Sequence, residues 1–96
     1  MKMVKEYAAF NPRRYGNPWI AEVIPGTTKP DFSRKIGGYT GAYGKGEAGK
    51  LYVSEPREGC LYTYGQKDYR GGNTERGYVR YEGGEFHEVD PRDLCD

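Results

Sequence analysis

Apolar side chains in this chain arrive in short alternating runs, and glycine or proline closes almost every run. Such a period of two predicts half-buried strands. Residues 3–10 read as a first strand, with Val4, Ala8 and Phe10 on one face and Lys5, Tyr7 and Ala9 on the other. Residues 11–18 carry two Asn-Pro pairs and a glycine and read as a loop, since the residue before proline is pushed out of the helical region. Residues 19–24 alternate Trp19, Ala21 and Val23 with Ile20, Glu22 and Ile24. Both faces are largely apolar, which predicts a central strand. Pro25 and Gly26 break it.

Residues 32–36 predict a third, weaker strand, and residues 37–49 form a glycine-rich run that is either loop or bent strand. Residues 50–53 and 60–64 read as strands, and the polar stretch 65–76 as a long loop. Residues 77–81 and 85–89 flank Gly83-Gly84 and make the clearest hairpin, because paired glycines supply the positive φ of its turn. Asp90-Pro91 reads as a cap with proline at the first helical position, starting one short C-terminal helical turn. The expectation is a mainly β, single domain over residues 1–96. Six to seven short antiparallel strands would form a small barrel or a two-sheet sandwich.

Composition sharpens this picture. The mean hydropathy of −0.96 alone suggests disorder, but the chain is 15% aromatic, and disordered chains are poor in rings. With ten tyrosines, the core must use Tyr rings whose hydroxyls reach the surface or a partner. The net charge of +1 gives no global pull toward nucleic acid or membrane. Residues 1–50 hold nine Lys/Arg against four Asp/Glu, and residues 51–96 hold six against ten, so any charge asymmetry is local. No run approaches the ~20 apolar residues of a membrane span. Residues 1–7 show no apolar core of a secretory signal. Two cysteines, Cys60 and Cys95, are fewer than a small secreted domain usually carries. A soluble, cytoplasmic protein with reduced thiols is expected, a Cys60–Cys95 bridge being the less favoured alternative.

No motif for catalysis emerges. Gly44-Lys45-Gly46-Glu47-Ala48-Gly49 matches a dinucleotide fingerprint in letters only, since a strand pattern follows where a helix must open. His87 and Cys60 lack a local partner for nucleophilic chemistry, and two Cys and one His show no metal-ligand spacing. The expectation is therefore no enzyme, no metal and no cofactor. The acidic series Glu82, Glu85, Glu88, Asp90, Asp93 and Asp96 reads as a solvated edge against aggregation, with phosphate mimicry the rarer alternative. Two loops set rings beside cations: Arg13, Arg14 and Tyr15, and then Lys67, Tyr69 and Arg70. That combination serves protein hot spots and single-stranded nucleic acid alike.

Residues 11–19, 37–49 and 64–71 resemble short proteins carried by bacterial prophages and integrative elements. The resemblance implies a non-enzymatic product that sticks to a host protein and blocks it, as anti-CRISPR proteins do. The leading expectation is such a binding protein, with Arg13, Arg14, Tyr15, Lys67, Tyr69 and Arg70 as its partner surface. The alternative is a single-stranded nucleic-acid binder on a small barrel. A Tyr-rich edge could also pair two copies into a homodimer.

Overall fold

The computed structural model describes residues 2–8, 18–34, 36–40, 48–67 and 72–94. Among these, seven strands follow in chain order: β1 Lys2–Ala8, β2 Pro18–Glu22, β3 Gly37–Tyr39, β4 Ala48–Val53, β5 Leu61–Lys67, β6 Asn73–Glu82 and β7 Glu85–Val89. A 3₁₀ turn, Pro91–Asp93, ends the series. All pairings are antiparallel, and they make two sheets, ordered β1-β4-β3 and β2-β5-β6-β7. Of the two architectures expected, this is the sandwich; the sheets do not close into a barrel.

Register decides which side chains meet. Ile20 lies opposite Tyr64, Tyr62 opposite Val79, and Val79 opposite Glu88. Alternation therefore sends Ile20, Tyr62, Tyr64 and Val79 to one face. They meet Leu51 and Val53 of β4 in one cluster that joins the sheets. Phe86 closes it with an edge-on contact to Tyr62 at 5.7 Å. The tyrosine-built core is real, and most of its hydroxyls end on other parts of the protein. Tyr62 accepts from the Arg57 N–H at 3.0 Å, and Tyr78 donates to the Thr28 carbonyl at 2.9 Å. Buried Thr63 donates to the Gly77 carbonyl at 3.0 Å. Satisfying these groups locally is what makes their burial affordable.

Three expectations need correction. The strand that was to be central, β2, is the edge of the four-stranded sheet. Its apolar outer face is buried by its own continuation. Val23 bridges Pro30, the Asp31 N–H donates to the Glu22 carbonyl at 2.8 Å, and the returning segment carries Thr28 onto Tyr78. The strand expected at 32–36 begins instead at Gly37. Asp31 holds the chain in a turn by accepting from the Ser33 N–H and hydroxyl, which competes with extension. The long loop expected at 65–76 is mostly strand: the ladder continues through Gly65↔Glu75, Gln66↔Thr74 and Lys67↔Asn73, past a register shift after Tyr64. Polar side chains hid it, although Gln66 itself is buried.

The hairpin stands as expected. Gly83 and Gly84 have φ of 63° and 81°, which defines a type I′ turn. The Asp90 side chain accepts from the Arg92 N–H and caps the 3₁₀ turn. The glycine-rich run resolves in part: Gly37–Tyr39 is strand, Ala48 and Gly49 open β4, and residues 41–47 lie outside the described residues.

Candidate functional site

The two sheets meet along two seams, and the seams differ. At one, β1 faces β7 without a ladder, and side chains close the gap. Lys5 Nζ donates to the Tyr64 hydroxyl and to Glu88, each at 3.0 Å, and sits 4.8 Å from the Tyr64 ring centre. The Tyr64 ring reaches Glu88 by crossing Gly77: a Cβ there would lie 2.6 Å from the Tyr64 hydroxyl. The Tyr64 hydroxyl, with Glu88 behind it, holds the Lys5 ammonium above its ordinary value of 10.5, against the opposing effect of burial.

At the other seam, β2 and β3 run side by side, again with no ladder among the described residues. A cleft of about 520 Å³ opens there, lined by Trp19, Phe32, Arg34, Gly37, Gly38 and Tyr52 among others. That is within the range of ligand pockets. Along it, the backbone of Gly37 and Gly38 is packed against Tyr52 of β4. A Cβ on Gly37 would overlap the Tyr52 carbonyl, so glycine is required for β3 to approach β4. The Tyr52 ring leans over Gly38, whose added Cβ would come within 3.1 Å of the hydroxyl.

Rings stand along the cleft. Trp19 and Phe32 meet edge-on at 4.9 Å and 79°, yet Phe32 remains 55% exposed. The Trp19 indole N–H is buried and has no acceptor among the described residues. An orphan donor of this kind costs about 1–3 kcal/mol. Arg34 closes the list. It forms an ion pair with Glu22 at 3.9 Å, shared with Arg57, which donates to both carboxylate oxygens at 2.5 and 2.7 Å. The Ser33 hydrogen bonds, and less strongly the Arg34 charge, hold the Asp31 carboxyl below its ordinary value. The Arg57 guanidinium is held above its ordinary value by that pairing. The Arg34 side chain is 56% exposed and also borders a second cleft of about 400 Å³, shared with Arg57 and Tyr62.

Of the residues expected at the partner surface, Arg13, Arg14, Tyr15, Tyr69 and Arg70 lie outside the described residues. Lys67 is exposed at the end of β5, one position beyond Gln66, which pairs with Pro18 at the start of β2. The cleft residues were missed because they come from four separate stretches. The available signal was a lone tryptophan in an apolar strand, followed by a phenylalanine and an arginine in a turn.

The other candidate chemistries separate in space. Cys60 is a free thiol sharing the inner face with Tyr81 and Phe86, while His87 pairs with Arg80 on the outer face. The letters of the dinucleotide fingerprint end at Gly49 inside β4, a strand. In the acidic series, Glu88, Glu82 and Asp90 are engaged by Lys5, Arg80 and Arg92. Among the described residues no three His, Cys, Asp or Glu side chains come together as metal ligands would, and no helix is long and apolar enough to cross a membrane. Fold and cleft thus define a class, a two-sheet antiparallel β-sandwich with an aromatic cleft at one seam. Comparisons with protein-family models, curated proteins and solved structures returned no match.

Proposed function

We propose that this protein is a small non-enzymatic binding module that grips a segment of a partner protein in the β2–β3 cleft. The observation that carries the proposal is the cleft's unfinished chemistry. It combines exposed Phe32, an indole N–H without an acceptor among the described residues and a half-exposed arginine that only shares Glu22 with Arg57. Aromatic and arginine side chains around a pocket are the usual anchors of protein interfaces. The resemblance to prophage products makes a host protein the partner class and inhibition by occupancy, in the anti-CRISPR manner, the mode.

Single-stranded nucleic acid is the weaker reading for this cleft. A phosphate chain needs a row of cations to follow. Here Glu22 and Glu55 flank Arg34 and Arg57 in the adjoining cleft and oppose such a chain. The test is affinity capture from a bacterial lysate with the wild type and with a Phe32→Ala/Arg34→Glu double variant of unchanged Tm. A partner held by the first and lost by the second supports the reading. Equal capture by both, or tight binding of an oligonucleotide that collapses with added salt, overturns it.

A further inference from the structure

We draw no further inference here: the strongest candidate, the cleft of about 260 Å³ that the free thiol of Cys60 and the side chain of Arg80 line together with the turn at Pro25 and Gly26, rests on a lone cysteine, and nothing among the described residues shows what ligand would occupy it.

Discussion

The β1–β7 seam and the β2–β3 seam solve the same problem in opposite ways. Each joins two sheets where no backbone ladder does. At β1–β7, Lys5, Tyr64 and Glu88 satisfy one another, and the Tyr64 ring fills the space left by Gly77. At β2–β3 a tyrosine, Tyr52, likewise lies over a glycine, Gly38, but the Trp19 N–H has no acceptor among the described residues and Arg34 shares Glu22 with Arg57. One seam spends its polar groups on the fold. On the proposed function, the other keeps them for a partner. Stability should therefore depend on the first seam and binding on the second.

The largest effect expected is from Tyr64→Ala. It empties a buried ring site and strips Lys5 of one of its two partners, so unfolding stability should fall by about 4 kcal/mol. Chemical denaturation measures this directly, and a loss below about 1 kcal/mol would show that the β1–β7 seam is not a stabilising latch. Next comes Gly37→Ala at the opposite seam. Its Cβ would collide with backbone, which cannot turn aside as a side chain can, so about 3 kcal/mol should be lost. Gly77→Ala meets only the end of the Tyr64 side chain and should cost less than Gly37→Ala in the same assay. The reverse order would mean that the β3–β4 approach is the more forgiving of the two.

These contrasts show what could be read along the chain and what could not. The Gly83-Gly84 hairpin and the Asp90 cap were legible because their causes are local: positive φ in one, a side chain reaching two residues on in the other. The tyrosine core was legible because so few other apolar residues exist. The edge position of β2 was not, since its second apolar face is covered by a returning segment and not by a neighbouring strand. β3 has three residues, two of them glycine, and no alternation to detect. The cleft was illegible for the same reason at larger scale. Trp19, Phe32, Gly38 and Tyr52 become neighbours only when β2 is laid beside β3. Sequence could mark Arg13, Arg14, Tyr15, Lys67, Tyr69 and Arg70, where ring and charge are adjacent along the chain.

A smaller effect is expected from Lys5→Met, and pH separates it from simple packing. The folded state raises the Lys5 value above 10.5, so its contribution is complete below that pH and disappears as pH climbs through the raised value. The side chain is 36% exposed, and solvent screening holds the contribution to about 0.5–1 kcal/mol. Burial also raises Tyr62 above its ordinary 10.0, adding a second loss on the alkaline side. Wild-type stability should therefore decline above about pH 10, and Lys5→Met should decline less steeply because only the Tyr62 part remains. Identical alkaline profiles would remove Lys5 from the latch.

The smallest change in stability should come from Phe32→Ala, although a large ring is lost. An edge-on aromatic pair is worth about 0.5–1.5 kcal/mol, and exposure of more than half the Phe32 side chain keeps its share at the low end. Removing the ring also opens the indole it packs against to water, and hydration of the unpaired N–H would recover part of that donor's cost. The two terms oppose each other, so the net change should lie within about 0.5 kcal/mol of zero. Trp19 emission should shift to the red as water arrives, while partner capture is lost. A drop of about 2 kcal/mol or more would place Phe32 in the scaffold, and the distinction between the two seams would disappear.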